Sequence, residues 1–65
     1  MDPIRMFPNR LREAREAAGM SPEDLARRLR VSRQTVWSWE RGLTLPMFRQ
    51  LIAIRRVLGF DPLRP

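Results

Sequence analysis

Two helix starts stand close together in this chain, and very little separates the helices they open. The first is Ser21-Pro22-Glu23-Asp24, with a serine to cap, a proline for the first helical position and two acids against the positive end of the helix dipole. The second is Ser32, which caps the helix that follows. Leu25, Ala26 and Leu29 give the first helix, about residues 22–29, its inner face, so only Arg30 and Val31 remain as a connection. Helices joined by so short a link must cross at a steep angle. Ala26 fits that crossing, because a small side chain lets two backbones approach. Arg27, Arg28 and Arg30 point away from the inner face, toward solvent or phosphate.

The second helix, about residues 33–41, divides into two faces when read at 100° per residue. Val36, Trp39 and the carboxylate of Glu40 fall on one side; Arg33, Gln34, Trp37, Ser38 and Arg41 fall on the other. The two tryptophans lie about 200° apart on that wheel, so one body cannot bury both. One belongs to a core and the other faces a partner. Arg and Gln are the residue types that read base edges, and Ser suits bases or phosphates. This face has the composition of a recognition helix for the DNA major groove.

Residues 1–7 show no periodicity and contain a proline, which predicts a flexible arm. A first helix is expected from near residue 8 to about residue 18, ended by Gly19. Phe7, Leu11, Ala14 and Ala18 form its apolar stripe, Arg10, Arg12, Glu13 and Glu16 its outer face, and Arg15 sits at the border. After Gly42 a short loop, Leu43-Thr44-Leu45, leads to Pro46 and a last helix from about residue 47 to residue 58, stopped by Gly59. Its inner spacing is Phe48, Leu51, Ile54 or Arg55, and Leu58. The tail, residues 61–65, holds two prolines and can form at most a turn.

The totals narrow the classes. A chain of 65 residues buries only about 60% of its unfolded surface, enough for one core. Without cysteine there is no disulfide, and without His or Cys a zinc site loses its usual ligands. The longest apolar run, Leu51-Ile52-Ala53-Ile54, is too short to span a bilayer, and the start lacks a signal-peptide core; a cytoplasmic protein with no membrane association is expected. The net charge of +6 arises from thirteen basic residues, all arginine, and a basic balance points to a polyanionic partner. Catalysis is not expected. His, Cys, Lys and Tyr are absent, the acids are scattered or occupied in caps and pairs, and no glycine-rich phosphate loop is present. No cofactor is expected either.

Across about residues 7–60 the chain resembles the helix-turn-helix domain of the phage repressor and Cro family, often called XRE-like regulators. The resemblance is carried by Arg10-Leu11-Arg12, Arg15, Gly19-Met20-Ser21, Leu25-Ala26 and Leu29, and then by Val31-Ser32-Arg33-Gln34-Thr35-Val36, Trp39-Glu40-Arg41-Gly42, Pro46 and Leu58-Gly59-Phe60. It implies an all-α, compact four- to five-helix bundle of the lambda-repressor-like type. The binding domain would occupy residues 8–60. Leu25, Leu29, Val31, Val36 and Trp39 match the family's core, and Arg15 and Glu40 match a structural ion pair between the helix expected at about residues 8–18 and the one at about residues 33–41.

The resemblance also implies roles in DNA binding. Arg33, Gln34, Thr35 and Ser38 fall on positions used against bases and nearby phosphates, with Gln34 suited to adenine and Arg33 to guanine or phosphate. Trp37 either presses on a thymine methyl, anchors a partner, or stacks between Arg33 and Arg41. Ser21 at a helix N-terminus, Arg41, and Thr44 with the amides near Gly42 complete the expected phosphate contacts. Two positions depart from the pattern: Pro22 stands where a phosphate-bracing Gln is common, and Arg30 where Gly is common.

The function implied is a sequence-specific regulator of transcription, a repressor binding a two-fold operator in double-stranded DNA as a homodimer. Ile52, Val57, Phe60 and Leu63 are the candidate dimer residues. The alternative is a protein-interaction module, or the antitoxin partner of a toxin, that uses Trp37 as its anchor.

Overall fold

The computed structural model describes residues 2–62, which form four helices and no strand: α1 (Pro3–Ala17), α2 (Pro22–Leu29), α3 (Arg33–Glu40) and α4 (Phe48–Leu58). A fifth helix is absent among the described residues, because Gly59 ends α4 in a left-handed conformation and only a bend and a turn follow. None of these helices is long and apolar enough to cross a membrane.

The helices close on one core. Phe7 and Leu11 of α1, Leu25 and Ala26 of α2, Val36 and Trp39 of α3, and Ile54 of α4 are each buried to 3% exposure or less. Met20, Leu29, Val31, Leu51, Val57, Leu58 and Phe60 pack around them. The α3 helix lies against both α1 and α2, while α4 packs on α2. Every helix thus donates its apolar stripe to the same interior, which a chain of this size requires.

The beginning of the chain differs from the expected flexible arm. Residues 3–7 are helical, and α1 starts at Pro3 instead of near Pro8. The cause is an earlier and better start signal: the Asp2 carboxylate accepts the Ile4 N–H at 2.9 Å, and Pro3 occupies the first helical position. Pro8 therefore lies inside the helix, where it removes the donor for the carbonyl of exposed Ile4. The other end of α1 also closes earlier, so Ala18 is an exposed cap rather than part of the buried stripe.

Two further differences concern surface and core. Phe48, expected on the inner face of α4, is 71% exposed: it is the first residue of the helix, after the Met47 cap, and burial along the expected stripe begins at Leu51 and Ile54. Arg10, expected on the outer face of α1, instead donates from Nη2 to the Asp61 carbonyl at 3.2 Å and lies over the Phe60 ring. It ties the segment after α4 back to α1.

The turn between α2 and α3 depends on Arg30, which adopts φ 59° and ψ 43°. That left-handed conformation lets the Val31 N–H reach back to the Ala26 carbonyl at 3.0 Å. Gly19 and Gly42 occupy the corresponding turns after α1 and α3 at φ 72° and 74°. A side chain in this region costs on the order of 1 kcal/mol. Arg30→Gly is therefore expected to raise stability by about 0.5–1 kcal/mol, read as a Tm increase of a few degrees in a thermal melt followed by circular dichroism. An unchanged or lower Tm would show that the Arg30 side chain makes a compensating contact.

Candidate nucleic-acid interface

The α3 helix is held at both ends. At its start the Ser32 hydroxyl accepts the Thr35 N–H at 3.1 Å and lies 2.9 Å from the Thr35 hydroxyl. At its end the Gly42 and Leu43 N–H groups donate to the Trp39 and Ser38 carbonyls at 3.2 and 2.9 Å. Those two amides are occupied in closing the helix and are not the ones left to meet a phosphate. Thr44 is exposed on the loop beyond.

Between these ends Val36 and Trp39 are anchored in the core while Arg33, Gln34 and Trp37 are exposed. The two tryptophans do divide between interior and surface: Trp39 is 2% exposed and Trp37 is 43% exposed. Ser38 is half-buried beside them. Eight residues make a helix about 12 Å long, comparable to the roughly 12 Å width of a DNA major groove.

Glu40 is half-buried at the edge between the inner and exposed sides of α3. Its carboxylate receives two bonds from Arg15, Nε to Oε2 at 2.8 Å and Nη2 to Oε1 at 3.0 Å. The remaining Arg15 nitrogen, Nη1, donates to the Met20 carbonyl at 2.8 Å. Both side chains of the pair are about 10% exposed. The hydrogen bond to Glu40 holds the Arg15 guanidinium above its ordinary pKa against the opposing effect of burial. One arginine thereby fastens α1, the turn before α2, and the end of α3.

The α2 start meets this assembly. Ser21 and Asp24 form a reciprocal cap: the Ser21 hydroxyl accepts the Asp24 N–H at 3.0 Å, and the Asp24 carboxylate accepts the Ser21 N–H at 3.1 Å. The Ser21 N–H lowers the Asp24 pKa. The Ser21 hydroxyl also interacts with the Glu23 and Asp24 carboxylates and helps to lower the pKa of both. Glu23, one position into α2, accepts from Arg33 Nη1 at 3.0 Å, and that bond lowers the Glu23 pKa.

An open cleft of about 500 Å³ lies along these residues, lined by Arg12, Pro22, Glu23, Arg33, Gln34, Trp37, Glu40 and Arg41. It gathers Arg33, Gln34, Trp37 and Arg41 of the sequence-derived set, whereas Ser21, Thr35, Ser38 and Thr44 do not line it. Thr35 and Ser38 are half-buried, and the Thr35 hydroxyl is drawn into the cap of its own helix. Trp37 stacks on one arginine only, with the Arg41 guanidinium 4.9 Å from its ring; Arg33 has turned to Glu23 instead. Arg12 and Glu23 are the two members that sequence reasoning missed. Arg12 read as a solvated charge on its own helix and Glu23 as an acid set against the dipole of its own, and only the packing of α1 and α2 against α3 brings them to this cleft. No group of three or more acidic, His or Cys residues among the described residues is placed to hold a metal.

A family profile, the helix-turn-helix domain, matches residues 9–65. The chain belongs to this DNA-binding family. Searches of curated proteins and of solved structures found no match.

Proposed function

We propose that this protein is a sequence-specific transcriptional regulator of the phage repressor and Cro type, a repressor that inserts α3 into the major groove of a two-fold operator as a homodimer. The observation that carries this reading is the exposed face of α3. Arg33, Gln34 and Trp37 stand free of the core on a helix that Val36, Trp39 and the Arg15–Glu40 pair hold rigidly. Among the described residues nothing bonds the Gln34 amide, which suits it to the bidentate edge of adenine. Ser21, Ser38, Arg41 and Thr44 flank that face as phosphate or base contacts, with Thr35 in a supporting position.

Of the candidate dimer residues, Ile52 is 39% exposed, Val57 and Phe60 are half-buried against the core, and Leu63 lies outside the described residues. Phe48 shares the outer face of α4 with Ile52, four residues away. We centre the homodimer surface on those two. The exposed Leu43, Leu45 and Met47 nearby also favour a second reading, in which this fold docks a partner protein such as a toxin.

Selection from randomised duplexes separates the readings. The regulator should enrich a two-fold motif with half-sites about one helical turn apart. Affinity for that motif should fall with salt at a log–log slope of about −0.9 per neutralised phosphate. Equal retention of all duplexes, or none at low salt, contradicts it.

A further inference from the structure

The Arg33–Glu23 pair is not explained by stability. Both side chains are largely exposed, 71% and 49%, and ion pairs in such positions add little to folding. Its location is more informative. The pair joins the first turn of α3 to the first turn of α2, and both residues line the cleft that also holds Gln34 and Trp37. A carboxylate stands on the face where polyanion must approach.

Resting on the proposal that α3 reads DNA, we propose that Glu23 is a specificity-determining positioning residue that directs Arg33 to a guanine edge and away from phosphate. Nη1 of Arg33 is already engaged by Glu23 Oε2 at 3.0 Å, which restricts the swing of a long side chain and fixes the plane of its fork. Nη2 and Nε remain to donate. If that fork met a phosphate, the phosphate oxygens would come close to the Glu23 carboxylate and be repelled. A guanine edge carries no net charge and presents O6 and N7 as acceptors, so it satisfies the fork without that repulsion. The cytosine paired with it, or a neighbouring one, offers an N4 donor that a glutamate accepts. The acid thus penalises the charged target and tolerates or favours the G·C pair.

The test is duplex selection and salt titration on the full chain, comparing wild type, Glu23→Gln, and Glu23→Gln combined with Arg33→Gln. With Glu23→Gln, preference for guanine at one position per half-site should fall roughly tenfold. Affinity for unrelated duplexes should rise, and the salt slope should steepen by about 0.9 per subunit as Arg33 moves to phosphate. In the double variant the guanine preference should be gone and the added salt dependence should disappear with it. Thermal melts should show all three chains folded alike, as expected for an exposed pair. If Glu23→Gln keeps both the base preference and the slope of the wild type, the role of Glu23 is refuted while recognition by α3 stands. If Glu23→Gln weakens every duplex equally, Glu23 is a general contact and the proposal also falls. A wild type that prefers no base at any position overturns the reading of α3 itself.

Discussion

Glu40→Ala is expected to destabilise the fold by about 3 kcal/mol or more, the largest effect of any single charge removal in this protein. The reason is that the substitution does not merely delete a bond. It leaves the Arg15 guanidinium at 10% side-chain exposure with two of its three nitrogens unpaired. A folded chain of 65 residues holds roughly 3–10 kcal/mol in all, so Glu40→Ala should remove about a third of the stability or more. Urea titration measures this directly. The informative comparison is the double variant Arg15→Met with Glu40→Leu, which removes both charges and refills the volume. It should recover most of the loss, because a buried pair is much costlier to break than to replace by apolar groups. Recovery should fall short by about 1 kcal/mol, since the Met20 carbonyl loses its donor from Arg15 Nη1. Equal destabilisation in the single and double variants would show that the pair contributes through something other than stranded charge.

The second large effect separates two residues of the exposed face. Gln34→Ala should cost about 1–3 kcal/mol against the preferred duplex and little against others, because a bidentate amide contact discriminates one base pair. Arg41→Ala should weaken all duplexes alike and reduce the salt slope by about 0.9 per subunit, as a phosphate contact does. Its loss from the Trp37 ring, 4.9 Å away, is a smaller matter of about 0.5–1 kcal/mol at an exposed site. Binding titrations against the selected motif and a scrambled duplex, each at several salt concentrations, measure both. If the two variants give the same pattern, the division between base reading and phosphate contact is wrong.

Much of the architecture was legible because it depends on local chemistry. The Ser21 and Ser32 caps, the short Arg30-Val31 link and the opposed tryptophans each follow from spacing along one helix. The start of α1 was not, since two Pro signals competed and only the Asp2 cap decides for Pro3. The α4 helix shows a different limit. The expected phase holds for Leu51, Ile54 and Leu58, but Phe48 is the first residue of the helix and stays exposed, and periodicity does not say where along a stripe burial begins. The site follows the same division. Residues on α3 could be sorted into faces from the sequence, whereas Glu23 and Arg12 reach the cleft through tertiary packing. Their isolated charges gave no signal of it. Arg33 looked free to meet phosphate or stack on Trp37 until its bond to Glu23 came into view.

The most direct test of the central claim is methylation of the preferred duplex with dimethyl sulfate, which modifies guanine N7 in the major groove. With α3 inserted there, bound protein should protect guanine N7 positions in two patches about one helical turn apart on one side of the duplex. Premethylation at those positions should abolish binding, and Gln34→Ala should retain the footprint while losing the preference at its own base pair. Guanine N7 groups that stay fully reactive throughout the bound site would contradict insertion of α3 into the major groove.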